Sequence, residues 1–212
     1  MSRFSLPLSA CLLLTGCLSH HPYESLVRYH DDGRAKPVAV IPTMIDTTHS
    51  DVPWSIAEEM TSHIVRNVES KEQIYLQEGD GSLLADNPFN PDISWVKEAF
   101  VPQQFVVFLE LVEHELIPAF GKSSQEEPRG NYLNTGIRVR IIDLRQNEPK
   151  IVLQEIVRDS YYIPRTYFPP NYDTASWGSE EYEKTPMGIA HTRIAQEISS
   201  RIVDYIILAQ GR

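Results

Sequence analysis

The apolar positions change their spacing repeatedly along the chain, and each change marks a predicted element. Pro37 to Pro42 reads PVAVIP, a short apolar run closed at both ends by residues that donate no ladder hydrogen bond, which predicts a buried strand. A polar turn, TMIDTTHSDV, follows. From about Pro53 to Val68 the spacing becomes helical: Ala57, Met60, Ile64, Val65 and Val68 fall on one face, and Ser55 and Glu58 stand at capping-box separation. Gln73 to Gln77, QIYLQ, returns to strand character. A strand, a helix and a strand in that order are most simply joined as a right-handed parallel crossover.

Residues Glu78 to Pro91 are rich in Gly, Asp, Asn and Pro, which predicts a loop. The following PDISWVKEAF predicts a short amphipathic helix with Ile93, Val96 and Phe100 inward and Trp95 packed. Period two then takes over. Phe105 to Ile117, FVVFLELVEHELI, places Phe105, Val107, Leu109 and Leu111 on one face and Val106, Phe108, Glu110 and Val112 on the other. After a polar loop from Gly121 to Asn131, Ile137, Val139 and Ile141 alternate with Arg138 and Arg140 within Thr135 to Leu144, and RQNEP turns the chain into KIVLQEIVRDSYYI. These three strands predict an antiparallel meander. The C-terminal helix has Thr185 as its cap, Pro186 in its first turn and a stripe of Met187, Ile194, Ile198, Ile202 and Tyr205 running to Gly211. The predicted fold is α+β: a strand-helix-strand unit, an antiparallel three-strand meander and a C-terminal helix, with the helices mainly on one face of a mixed five-stranded sheet.

The N-terminal residues follow none of these periods. Phe4 to Leu14, FSLPLSACLLL, is apolar, is preceded by Arg3, and is too short to cross a bilayer as a helix, which predicts a signal peptide. It leads into Leu14-Thr15-Gly16-Cys17, which resembles the lipobox of bacterial lipoproteins. The resemblance implies cleavage after residue 16 and acylation of the Cys17 thiol, so that lipid anchors the chain to a membrane. In enterobacterial lipoproteins an aspartate after the anchor favours inner-membrane retention, and its absence at Leu18 makes the outer membrane, facing the periplasm, the expected location. Two or three acyl chains, at about 0.8 kcal/mol per buried methylene, hold a domain that one chain would not. Residues 17–36 are polar and aperiodic and are read as a tether, reaching on the order of 60 Å when extended. Residues 37–212 are read as a single periplasmic domain.

Charge and cysteine usage narrow the chemistry. The 212 residues carry 19 Lys and Arg against 29 Asp and Glu, a net charge of −10. There is no basic cluster, which argues against nucleic acid and anionic lipid surfaces and favours a neutral or basic partner. The two cysteines are Cys11 and Cys17. With one in the signal peptide and the other acylated, no thiol remains for a disulfide, a metal or nucleophilic catalysis.

PVAVIP, the polar turn, the helix PWSIAEEMTSHIVRNV and IYLQEG together resemble a periplasmic α+β domain found in three kinds of bacterial protein. These are the lipoproteins that activate peptidoglycan synthases, the curli secretion lipoprotein, and the N-terminal domain of the Tol-Pal β-propeller protein. PWSIAEEM and TPMGIAHTRIAQEI look like uncharacterised lipoproteins of chlamydiae and their relatives. These resemblances imply a binding or scaffolding module and carry over no catalytic residues. The element order is also similar to that of the lipoprotein plug of the lipopolysaccharide translocon, although the Trp-His segment that follows the lipidated cysteine there is absent.

The common self-contained reaction signatures are missing: there is no G-x-S-x-G, H-E-x-x-H, P-loop or dinucleotide fingerprint. The expectation is a non-enzyme with no cofactor and no metal site. His20 and His21 are adjacent but have no further ligands beside them. On a strand Glu113 and Glu115 share one face while Glu110 and His114 share the other, which splits that acidic group, and Glu110 is expected to pair with Arg138 or Arg140. Glu126 and Glu127 fall in a polar loop. His49, His63, His114 and His191 are scattered singly, with boundary or surface roles expected for the two on helices.

Residues Asp159 to Glu183 carry Tyr161, Tyr162, Tyr167, Phe168, Tyr172, Trp177 and Tyr182 together with three prolines. Rings on a stiff loop bring contact area at small entropic cost, which makes this segment a candidate interface. The alternative is that the rings pack back on the sheet as core. The loop from Asp80 to Asp92, with Phe89, is a second candidate. The expected function is that of a membrane-anchored, non-catalytic adaptor or regulator that binds another envelope protein; the alternative is an accessory lipoprotein of lipid or lipopolysaccharide transport.

Overall fold

A computed structural model describes residues 28–50, 52–77, 86–120, 127–167 and 171–211. Cys17, His20, His21, Glu126, Phe168 and residues 80–85 of the loop from Asp80 to Asp92 lie outside the described residues.

The chain forms β1 (Val38–Val40), β2 (Ile45–Asp46), α1 (Ile56–Ser70), β3 (Tyr75–Leu76), α2 (Val96–Ala99), β4 (Phe105–Ala119), β5 (Gly130–Asp143) and β6 (Lys150–Pro164). A short 3-10 turn at Arg165–Tyr167 leads on to α3 (Glu180–Glu183) and α4 (Pro186–Gln210). The sheet order is β3-β1-β4-β5-β6, with β2 beside β4. β1 is parallel to β3 and β4, and β4, β5 and β6 make the expected antiparallel meander. The sheet has six strands where five were expected, because Ile45–Asp46 pairs in parallel with Glu110–Leu111. A two-residue strand inside a polar turn has no period by which to be seen.

Helix α1 starts where its cap dictates: the Ser55 hydroxyl accepts from the Glu58 amide at 3.2 Å. Thr185 caps α4 in the same way through the Gly188 amide, and Pro186 occupies the first turn. These two helices lie side by side over one sheet face. Their stripes, among them Met60, Ile64, Ile198 and Ile202, meet Val107, Leu109, Ile137 and Val139 in the main core. Each fully buried aliphatic side chain stabilises this layer by roughly 1.5–3 kcal/mol. The stripe on α4 advances from Ile202 to Val203 and Ile206, so Tyr205, expected inside, stands 36% exposed.

Among the described residues the opposite face is covered at one end. There α2 brings Val96 and Phe100 onto Val106, Phe108 and Ile142, and Trp95 packs against Phe100 and Phe108 as expected. Arg140 fastens the preceding loop by donating to the carbonyls of Pro88, Phe89 and Asn90, and Phe89 lies under the guanidinium groups of Arg138 and Arg140.

A β-bulge in β4 corrects the face assignment. The register slips between Leu111 and Glu113, so Leu111 faces Ile137 but Glu113 faces Gly136 and His114 faces Thr135. The extra residue reverses the alternation. Glu110, Glu113 and Glu115 therefore share the outer face, and His114, expected beside Glu110, points instead toward the helices. Glu110 pairs with Arg138 at 2.8 Å and Glu113 with Arg158 at 3.4 Å. Gly136 suits the bulge because a Cβ there would stand 3.0 Å from that of Glu113.

Candidate functional site

Beyond the bulge the inner face of the sheet carries His114, Leu116 and Leu133, and residues 171–187 pack over it. Tyr161 and Tyr162 belong to β6 and not to a loop. Tyr161 is half-buried, whereas Tyr162 is exposed on the outer face, packs against Tyr132 at 5.5 Å and donates its hydroxyl to the Arg129 carbonyl. Tyr167 is exposed, and Tyr172 and Trp177 are half-buried. Tyr182 is only 2% exposed and anchors the assembly. Trp54, at the start of α1, meets the rings of Tyr172 and Tyr182 edge-on at 5.2 and 5.3 Å.

These rings leave a pocket of about 260 Å3. Leu116, Ile163, Tyr167, Tyr172, Tyr182 and Met187 form its apolar lining, and Thr166, Asn171, Thr174 and Thr185 supply polar groups. The single turn of α3 is seated by its backbone. The Ser179 hydroxyl accepts from the Tyr182 amide, the Thr185 hydroxyl donates to the Tyr182 carbonyl, and Gly188 lets α4 approach so closely that a Cβ would come within 2.3 Å of that carbonyl oxygen.

Beneath the pocket lies a chain of polar side chains that the sequence did not bring together. The Glu59 carboxylate accepts from Trp54 Nε1, from the Tyr182 hydroxyl and from His191 Nδ1, each at 2.8 Å. His191 Nε2 stands 3.0 Å from His114 Nε2, and His114 Nδ1 stands 2.8 Å from Ser50 Oγ. A carboxylate only accepts, so His191 carries its proton on Nδ1. In a neutral ring its Nε2 then accepts from His114 Nε2–H, and His114 Nδ1 accepts from the Ser50 hydroxyl. Glu59 and His191 are fully buried and His114 nearly so.

Burial opposes the charge on Glu59, but the hydrogen bond and positive field of His191, with the bonds from Trp54 and Tyr182, hold its carboxyl below the ordinary range. Burial, helped by His191, pulls His114 down to about 4. The Tyr182 hydroxyl is pushed up by burial and by the Glu59 charge. His63, one turn further along α1, is pulled down by burial and by Arg66.

The order Ser50, His114, His191, Glu59 has the form of a nucleophile, a base and its orienting groups. Burial pulls its His114 down to about 4, and Ser50 is not among the residues that line the pocket. The two imidazoles also lack the company a metal needs. Their facing nitrogens are at N–H···N distance, and no group of three or more His, Cys, Asp or Glu ligands occurs among the described residues.

Glu59, His114 and His191 were not read as a group in the sequence. The available signal was spacing: His191 follows Met187 by four and precedes Ile194 by three, inside the apolar stripe, and Glu59 adjoins Met60 within the buried face of α1. His63 stands 3.9 Å from Glu59, and His49 lies outside the network.

No helix among the described residues is long and apolar enough to cross a membrane. Curated proteins yield no sequence match. Among solved structures, the hypothetical protein CT253 of Chlamydia trachomatis superposes with a TM-score of 0.66 at 23% identity, over 81% of this chain and 98% of that one. Protein XCC0632 of Xanthomonas campestris, of family DUF330, superposes with a TM-score of 0.51 at 6% identity, over 84% and 90% of the two chains. Residues 25–210 match the profile of a family of unknown function, DUF7499, and the chain belongs to that family.

Proposed function

We propose that this protein is a lipid-anchored adaptor of the bacterial envelope, held to the outer membrane through Cys17, which binds a neutral or basic protein by seating one of its apolar side chains in the pocket between Tyr167 and Met187. The pocket carries this reading. At about 260 Å3 it lies below the roughly 300–1,000 Å3 of sites that enclose small molecules, and it has room for a large side chain rather than for the acyl chains of a lipid. Its setting favours a peptide. β6 is an outer strand of the sheet, fifteen residues long, and Ile163 near its end is also a wall of the pocket. An extended segment added along β6 would present alternate side chains to that wall. The net charge of −10 favours basic flanks on that segment.

Two measurements test the two halves of the proposal. Labelled palmitate entering the wild-type protein, and not a Cys17→Ala variant, is expected of the anchor; an unlabelled mature protein would remove it. A photo-crosslinking residue at Tyr167 in intact cells is expected to trap a protein. Adducts to lipid alone would favour the transport alternative and sink the adaptor.

A further inference from the structure

The contact between His114 and His191 has one property that an aliphatic contact lacks. Two imidazole nitrogens 3.0 Å apart share one proton as an N–H···N bond. If both facing nitrogens carry a proton, two N–H groups confront each other with no acceptor between them, and a second positive charge on the pair adds repulsion that parts the rings.

His191 cannot move without disturbing the pocket. Its Nδ1 lies 2.9 Å from the Tyr182 hydroxyl, and both groups converge on the same oxygen of Glu59. Tyr182 is the buried residue of the four in α3 and belongs to the pocket lining, so the floor of the pocket is held by the group that excludes the second proton.

We infer that the His114–His191 contact is an acid-sensitive catch: uptake of a second proton by the pair parts the rings, frees Tyr182 from Glu59 and His191, and loosens residues 171–185, so that the pocket is formed at neutral pH and lost in acid. The inference concerns regulation of the pocket and rests on the binding role proposed for it.

The surroundings set the sign. From α1, Glu59 favours a charge on the pair while His63 and Arg66 add nothing to hold a second one. From β2, Asp46 favours a charge on His114, too weakly to offset its burial. From α3, Glu183 acts on His63 and the Tyr182 hydroxyl stays protonated, and Tyr172 touches the network through Tyr182. Among the described residues Glu59 is the carboxylate hydrogen-bonded to the pair, and its carboxyl, held below the ordinary range, stays ionised further into acid than a free one. A first proton on His191 strengthens its bond to Glu59, so release is tied to the second proton on the pair.

Hydrogen exchange of the full-length protein in detergent, corrected for intrinsic rates and compared at about pH 7.5 and about pH 4.5, tests this directly. Amides of 171–185 are expected to lose about tenfold or more of their protection in acid while those of β4 and β5 keep theirs. His114→Gln retains a donor toward His191 but does not titrate, and it is expected to abolish the response. Unchanged protection of 171–185, loss only together with the strands, or a persistent response in H114Q would each overturn the inference. If H114Q fails to fold, the ring resonances of wild-type His114 decide. They must move over the same pH range as the protection, and titration elsewhere overturns the catch. A crosslink from Tyr167 at neutral pH reads pocket binding alone, so failure of the catch and failure of the binding role are separable.

Discussion

The layer between α1, α4 and the sheet is built in two ways along its length. Toward the C-terminal ends of the helices it is aliphatic, with Ile64, Val68, Ile198 and Ile202 packed on strand residues of the same kind. Toward their N-terminal ends the same layer contains Glu59, His114, His191 and Tyr182. The aliphatic half mainly requires that volume be filled, and its buried Ser199 hydroxyl is satisfied by the backbone carbonyls of Ala195 and Ile64. The polar half requires each donor to find its acceptor, and that requirement makes it sensitive to protons, to truncation and to small displacements of α3.

Glu59→Ala should break the comparison most severely. It strands Trp54 Nε1, the Tyr182 hydroxyl and His191 Nδ1 in the interior, and chemical denaturation is expected to show a loss of about 3–5 kcal/mol. Acid comes next. The folded-state value of His114 is depressed from 6.5 to about 4, so the unfolded chain takes up its proton first. The stability contributed by keeping this ring neutral is complete above about pH 6.5 and is lost as pH falls toward about 4, amounting to about 3 kcal/mol by denaturant titrations across that range. Glu59, also depressed, adds in the same direction below the ordinary carboxyl range.

Gly188→Ala sharpens the comparison at the seat of α3, where the new methyl group meets the Tyr182 carbonyl. A loss of about 1–3 kcal/mol is expected, with a weakened response of Trp54 fluorescence showing that Tyr182 has shifted. In the aliphatic half Ile198→Leu keeps volume and is expected to cost less than about 1.5 kcal/mol by thermal melting. An equal cost for this change and for Glu59→Ala would mean that the two halves do not differ as described.

The same division governs how much could be read from the chain. The cap at Ser55, the Thr185-Pro186 start of α4, the alternation of β4 as far as Leu111 and the pairing of Glu110 with an arginine of β5 are local or strictly periodic, and they stand in the structure as they stand in the sequence. The features that were hidden depend on breaks in period. The slip at Val112 turns His114 inward, Ile45–Asp46 pairs without any pattern of its own, and β5 begins at Gly130 in a stretch that reads as a polar loop. The polar network needed all of this at once: its members come from α1, β4, α3, α4 and the turn before α1, and only the fold brings Glu59 within 2.8 Å of His191, 132 positions away. Of the aromatic segment, composition showed that it was unusual. It did not show that Tyr182 is a foundation while Tyr167 is exposed beside the pocket.

The central claim, that this pocket receives a protein side chain, is tested most directly by filling it. Ala175 borders the pocket and is half-buried, so Ala175→Trp occupies the space with a side chain of the protein's own. With the photo-crosslinker at Tyr167 and the fold verified at neutral pH, the yield of the protein adduct should fall by about tenfold or more, the equivalent of about 1.4 kcal/mol of binding free energy. An adduct formed in undiminished yield with the pocket filled would contradict the claim.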